Sequence, residues 1–322
     1  MARSVAAVLL IAMVMVGPVF GQQIYPGKPI RFIVPYPPGG ATTVVARLFG
    51  EKLTESWGQA VIVDNRGGAN TIIGTEALVK SPPDGYAIML VANTHVINSL
   101  LIATLPYDSI RDFAPIATLA STEQLLVLHP SVPANTLREL IALAKSRPGQ
   151  LNYATVGSGG PNHLATELFN TMAGIKTQQV PYKGGGPAVI DLIAGQVQLS
   201  FNVTSNFTQH VQSGKLKAIA ISGEKRFSGL PNVPTFSEAG LPGIEAKGWY
   251  GVLAPAGIPG AIVEKLSTEI ARIQDKADIR EKLASQGLEP FTSTPGQFAD
   301  LMKADTARYA KIIKAANIKM EN

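Results

Sequence analysis

The stretch PIRFIVPYPPGGATTVVARLFGEKLTESW, Pro29–Trp57, decides the fold. Pro29–Pro35 is a short β-rich run. Thr42–Trp57 then carries Val45, Leu48, Phe49 and Leu53 at helical spacing. Between them lies VPYPPGGAT, Val34–Thr42. Pro37-Pro38 stiffen this loop, and Gly39-Gly40 let another group approach the backbone closely. The helix behind it presents unpaired N–H groups, an arrangement that attracts an anion without a cationic side chain.

The same strand–loop–helix pattern continues outward. Ala60–Asp64 reads as a strand, and Asn70–Ser81 as a helix closed by the turn Pro82-Pro83-Asp84-Gly85. Tyr86–Ala92 is a near-continuous apolar run, as expected of a strand buried on both faces. Ile116–Ala120, Leu125–His129, Asn152–Val156, Thr177–Pro181, Val197–Val203 and Lys217–Ser222 read as further strands. Helices are expected over Thr136–Ser146, with Asn135 or Thr136 as N-cap, and over His163–Ala173 and Ala188–Ala194. Two amphipathic helices, Ile262–Ile273 and Pro295–Ile313, close the chain. Repeated β-α-β units with short loops predict an α/β protein of mainly parallel sheets. The expected boundaries fall near Leu119–Gln124 and Ile244–Tyr250. The last helices then return to the first lobe, so domain 1 comprises 22–122 and 246–322 and domain 2 comprises 123–245.

Composition narrows the function. The chain has 322 residues, 46% apolar and 16% charged, with a formal charge of +5 and no Cys. That length buries a sizeable core, and the apolar share excludes a disordered chain. Zero Cys excludes disulfides, thiolate metal sites and cysteine nucleophiles. The small, scattered charge excess gives nucleic-acid binding no support. At the N-terminus, Arg3 precedes the apolar run Val5–Val16, then Gly17-Pro18, with small residues at Val19 and Gly21. Twelve apolar residues suit the core of an export signal and are too short to span a bilayer of roughly 30 Å. Met1–Gly21 is therefore read as a cleaved signal rather than an anchor, delivering a soluble chain to a periplasm.

Catalytic apparatus is sparse. His95, His129, His163 and His210 show no metal-ligand spacing, and GxSxG, P-loop and GxGxxG motifs are absent. No catalytic residue, metal or cofactor is expected. Two further glycine-rich loops precede helices: TVGSGGPNH, Thr155–His163, and YKGGGPA, Tyr182–Ala188. Singly, each reads as a tight turn. Three such loops, with two in different lobes, read better as a site holding an anion between lobes. Lys183 either pairs with that anion or is solvated. Arg66, in DNRGGAN, reads as a brace for its loop. Tyr36 and Phe201 either stack on a ligand or belong to the core.

Several ordered motifs carry a family resemblance across essentially the whole chain after the signal. They are PIRFIVPYPPGG (Pro29–Gly40), SPPDGYAIML (Ser81–Leu90), LPYDSIRDFAPIA (Leu105–Ala117) and GSGGPNHLATELF (Gly157–Phe169). The series continues with VPYKGGGPAVIDLIAGQV (Val180–Val197), LPNVPTFSEAGLPG (Leu230–Gly243) and GWYGVLAPAGIP (Gly248–Pro259). The chain resembles the Bug-type extracytoplasmic solute-binding proteins, receptors of tripartite tricarboxylate transporters. The resemblance implies a two-domain periplasmic-binding-protein fold closing on a carboxylated ligand. It carries ligand contacts to Tyr36, Pro37, Gly39, Gly40 and Thr42, and to Gly157, Ser158, Gly159, Asn162 and His163. Thr94, His95 and Asn202 are expected to line the same cleft.

This chain departs from the family in two places. Thr43 stands where the family usually has Asp, and an amide, Asn202, replaces an acidic residue that often faces a ligand amino group. These changes turn the expectation from amino acids towards organic acids, aromatic mono- or dicarboxylates included. The implied role is a monomeric receptor, not an enzyme, that serves a membrane permease. A ligand sensor for a sensor-kinase ectodomain and an exported hydrolase are the alternatives.

Overall fold

A computed structural model of the chain describes residues 25–182, 185–244, 246–316 and 318. The export signal, Met1–Gly21, and Lys183 lie outside the described residues. In chain order the elements are β1 (Ile30–Val34), α1 (Ala41–Trp57), β2 (Val61–Asn65), α2 (Ile72–Val79), β3 (Ala87–Ala92), α3 (Thr94–Leu101), β4 (Phe113–Thr122) and β5 (Gln124–Leu128). They continue with α4 (Leu137–Ser146), β6 (Asn152–Val156), α5 (Pro161–Ala173), β7 (Gln178–Tyr182), α6 (Gly185–Ile193), β8 (Leu199–Val203), α7 (Thr208–Gln212) and β9 (Lys217–Ile221). The last are β10 (Gly248–Pro255), α8 (Gly260–Gln274), α9 (Ala277–Ser285), β11 (Glu289–Pro290) and α10 (Pro295–Ala315).

The strands form two sheets, ordered β11-β4-β10-β3-β1-β2 and β7-β6-β8-β5-β9. Helices cover both faces of each, so the α/β class is as expected. The sheets are mixed rather than mainly parallel. β1 pairs parallel with β2 and β3, but β10 runs antiparallel to both β3 and β4. Likewise β6 pairs parallel with β7 and β8, while β5 runs antiparallel to both β8 and β9. The cause is where the chain enters each sheet. β5 and β10 each begin at the edge where the parallel strands end, Gln124 opposite Val203 and Tyr250 opposite Ala92, so each runs back against them.

Five elements escaped the sequence pattern, the two-residue β11 among them. α3, α7 and α9 span eight, five and nine residues, too short for a clear period. β10 is buried along most of its length, and its glycines hid it. On one face of the first sheet, Val45, Phe49 and Leu53 of α1 pack with Leu266 and Ile270 of α8. On the other, Leu78, Val96 and Ile97 pack with Phe298, Met302 and Tyr309 of α10. Thr294 begins α10 with a reciprocal cap: its hydroxyl accepts from the Gln297 N–H at 3.2 Å, and Gln297 accepts from the Thr294 N–H at 2.9 Å. Thr136, not Asn135, caps α4.

One contact joins the sheets' separate cores. Leu164 of α5 is fully buried in the α10-side cluster with Trp249, Phe298 and Met302, and Leu168 packs against it. Helix α5 packs on the second sheet through Ala165, Phe169 and Ala173 and reaches the first core through Leu164 and Leu168. Among the described residues, no helix is long and apolar enough to cross a membrane.

Candidate functional site

The C-terminal ends of parallel strands are where open α/β sheets present their loops. In the first sheet, β1 leads into Pro35–Gly40. Pro37–Gly40 are exposed, and Gly40 is the N-cap of α1 with φ −88° and no side-chain cap. In the second, β6 leads into Gly157–Gly160. Gly160 is the N-cap of α5, again without a side-chain cap. No acidic residue stands in the first turn of either helix. Both helix starts therefore keep main-chain donors and positive dipole ends without an internal anion.

The first loop is held by neighbours that the sequence did not single out. Asn65, at the end of β2, donates through Nδ2 to the Tyr36 carbonyl at 3.1 Å and the Thr43 hydroxyl at 2.9 Å. Thr43 thus braces the loop from a buried position. Burial raises the Tyr36 phenol well above its ordinary range, partly offset by the neighbouring Thr94 hydroxyl and Ala92 main chain. The ring edge remains half-buried against the first core, so Tyr36 is split between core and loop. Arg66 braces its own loop as expected, pairing with Asp64 at 2.8 Å, which also binds Arg31 at 2.7 Å.

In the second loop the free donors differ from the expected ones. Gly157 donates its N–H to the Tyr182 carbonyl, and Gly159, at φ +77°, donates to His163 Nδ1 at 2.9 Å. Neither amide is available to a ligand, which corrects the expectation of main-chain contacts from these two glycines. The same bond assigns the His163 tautomer. A ring nitrogen that accepts carries no proton, so His163 presents Nε2–H as a donor. Asn162 adds a second. Its Nδ2 is buried and has no hydrogen-bond partner within the protein. Ser158 is half-buried, its hydroxyl 3.4 Å from Gln179 Nε2. Gln179 also holds Thr155 at 2.9 Å, so it positions this loop as Asn65 positions the first.

Asn202 lies at the end of β8, level with Val156 by the β6–β8 register. Its Oδ1 accepts from the Val203 N–H at 2.8 Å, which leaves the amide nitrogen to point elsewhere. Thr94 opens α3 beside Tyr36. His95 does not join them. Its Nε2–H donates to the Ser109 carbonyl at 2.9 Å, and its ring stacks on Tyr107 and meets Phe113 edge-on. Phe201 is likewise fully buried, tilted against Phe236, and is unavailable for stacking. His95 sits on the buried side of α3 and Phe201 lies inside β8, so both are core residues.

Burial lowers both His95 and His163 to about 4. An unfolded histidine titrates near 6.5. Above that pH both states are neutral and nothing is lost. As pH falls from about 6.5 to 4, the unfolded chain takes up protons that the native chain refuses, so stability falls. Each histidine is expected to cost about 3 kcal/mol by pH 4. Urea unfolding at pH 7 and pH 4.5 checks this, and His163→Gln should lessen the drop. An equal drop with and without His163 would show that its burial plays no part.

Two helix-flanked sheets joined by crossing strands, each offering an uncapped helix start, are the architecture of a two-lobed solute-binding receptor. The family model described as "Tripartite tricarboxylate transporter family receptor" matches residues 45–318, and the chain belongs to that family. It is 36% identical over 299 residues to protein BugT of Bordetella pertussis, covering 92% of each chain. An R. palustris protein solved with adipate is 34% identical with a TM-score of 0.84, covering 92% of this chain and 99% of that one. MatC of Rhodopseudomonas palustris, solved with bound malate, is 30% identical with a TM-score of 0.80, covering 90% and 100%. The family is one of receptors, not enzymes.

Proposed function

We propose that this protein is a periplasmic receptor that captures a small organic carboxylate between two lobes and delivers it to a membrane permease. The lobes are 22–122 with 246–322, and 123–245. The observation that carries the reading is Asn162 Nδ2, a buried donor without a protein partner at an uncapped helix start. A buried unsatisfied donor costs about 1–3 kcal/mol, and a ligand carboxylate at this helix start would supply its acceptor. Beside it stand His163 Nε2–H, Ser158 and the first-turn amides of α1 and α5. Tyr36, Pro37, Gly39, Gly40, Thr42, Thr94 and Asn202 complete the site. All are neutral donors or walls, suited to a carboxylate and without a carboxylate of their own for an amino group.

Val44, one turn into α1, and Val156, the last residue of β6, are exposed beside the two loops. They favour a ligand with an apolar body, such as an alkyl or aromatic dicarboxylate. The relatives solved with adipate and malate support dicarboxylates as first candidates. A thermal-shift screen of mono- and dicarboxylates, followed by calorimetry, tests this. A ligand at 100 times its Kd adds about 2.7 kcal/mol to the native state. Absence of a shift with every carboxylate, with amino acids or sugars active instead, would overturn the reading.

Ligand touched from both lobes favours the closed form. Small-angle scattering with saturating adipate should therefore give a smaller radius of gyration than without it. An unchanged radius with binding confirmed would mean a rigid site. Mass spectrometry of exported protein should find an N-terminus near Gln22, and an intact Met1–Gly21 in the soluble fraction would refute the cleaved signal.

A further inference from the structure

A cavity of about 740 Å³ lies at the hinge end of the strand-end edge, beside the proposed carboxylate loops rather than among them. None of the residues proposed to hold the carboxylate lines it. One wall is Ser222–Phe227, just beyond β9; the other is α10 with Trp249 and Phe291. Because β4 runs on into β5, the neighbouring edges β11 and β9 lie on the same side of the molecule. The cavity occupies that edge, beside Glu123, where the chain crosses between sheets. Asn93, next to Thr94, bonds Trp249 and Asp305 in the cavity wall, while β1, which carries the first ligand loop, stands two strands from β10, roughly 10 Å away at ordinary strand spacing.

The cavity has the size and make-up of a small-molecule site at a domain interface, with aromatic walls and a few polar groups. Trp249, Phe227, Phe291 and Leu301 supply apolar surface. Of its charged groups, Asp305 is spent on Arg308 and Trp249. Glu123 accepts a hydrogen bond from Ser222 and is raised above the usual carboxylate range, by burial first. Three lysines, Lys225, Lys247 and Lys311, stand at the exposed rim with no carboxylate within ion-pair distance among the described residues. Glu224 and Glu289 are the acidic rim residues, so cations outnumber anions there.

We propose that this hinge-edge cavity is a second binding site, for an organic anion with an aromatic or other apolar body, and that its occupancy biases the separation of the lobes. The second part follows from the walls. Each lobe contributes one, so a molecule spanning them binds one separation better than another, and differential affinity is what shifts such an equilibrium. The proposal does not depend on the identity of the carboxylate in the cleft.

Anilinonaphthalene sulfonate is a suitable probe, being aromatic, anionic and fluorescent when shielded from water. It should bind the full-length mature protein saturably at one site. Ala304 lines the cavity from an exposed position on α10, so Ala304→Trp fills the space without disturbing the core. That variant should weaken the probe at least tenfold, with unchanged circular dichroism; Ala307→Trp repeats the test one turn on. Lys311→Glu should weaken it several-fold, and Gly40→Val, at the other site, should leave it unchanged. Saturating probe should alter the radius of gyration. Equal affinity for wild type and both tryptophan variants would overturn the site, and an unaltered radius at saturation would overturn the coupling.

Discussion

Gly40→Val is expected to fold normally and to lose carboxylate binding. Gly40 is the N-cap of α1, and its φ of −88° with ψ 172° is open to any residue. A Cβ there would meet only Thr42 Oγ1, at 3.9 Å. The substitution therefore meets no steric or backbone obstacle within the protein. The branched side chain instead projects into the space above the α1 amides, where the proposed ligand carboxylate sits. Losing one or two hydrogen bonds to a charged group, at about 1.5–3 kcal/mol each, predicts a Kd weaker by at least about tenfold, and by over 100-fold if two are lost. Calorimetry with the best ligand of the screen reads the affinity, and thermal melting reads the fold. Wild-type affinity in a folded Gly40→Val protein would remove the first loop from the site. Ser158→Ala should cost less than the loss of two such bonds, about 0.5–1.5 kcal/mol, rising to roughly 3 where the hydroxyl bonds a buried carboxylate, because it removes one donor and leaves the main-chain amides in place.

The largest stability effect is expected from Asp305→Ala. Asp305 is buried on α10. Its Oδ2 accepts from Asn93 Nδ2 at 2.9 Å and from Trp249 Nε1 at 2.7 Å, and its Oδ1 pairs with Arg308 at 2.8 Å. Asn93 in turn accepts from the Trp249 N–H at 2.9 Å. One carboxylate thus ties α10 to β10 and to the start of α3. Removing it leaves two buried donors unsatisfied and takes a charged partner from Arg308. The expected loss is about 3–5 kcal/mol. Asp305→Asn should lose less, because its amide oxygen still accepts. Denaturant unfolding of both variants measures this, and a loss below about 1 kcal/mol for Asp305→Ala would show that the network is not a structural tie.

Much of the candidate site's framework, its strands, loops and helix starts, was legible because its signals are local. An apolar run, then Pro-Pro-Gly-Gly, then helical spacing identifies a strand, a loop and an uncapped helix wherever the segment sits. Residues that position the loops were not legible. Asn65 and Gln179 carry no motif, and each matters only because parallel pairing sets it beside a particular loop. Their sole hint was an amide at a strand end or within a strand, which is common and unspecific. His95 was misplaced for a related reason. Adjacency to a buried strand does not reveal whether a ring turns towards the cleft or, as here, towards Ser109, Tyr107 and Phe113.

By itself the sequence determined the strand–loop–helix alternation, the α/β class, the glycine loops and the amphipathic faces of the last helices. Each follows from the residue period and backbone preference within a dozen positions. The tertiary structure alone decided that β5 and β10 run antiparallel, that Leu164 joins the first core, and that Gly159 spends its amide on His163. It also decided that Asn93 would meet Asp305 across 212 residues of chain. A hydrogen-bond donor is free or spent according to what lies opposite it in space. That partner is set by sheet order and packing, which no local period encodes.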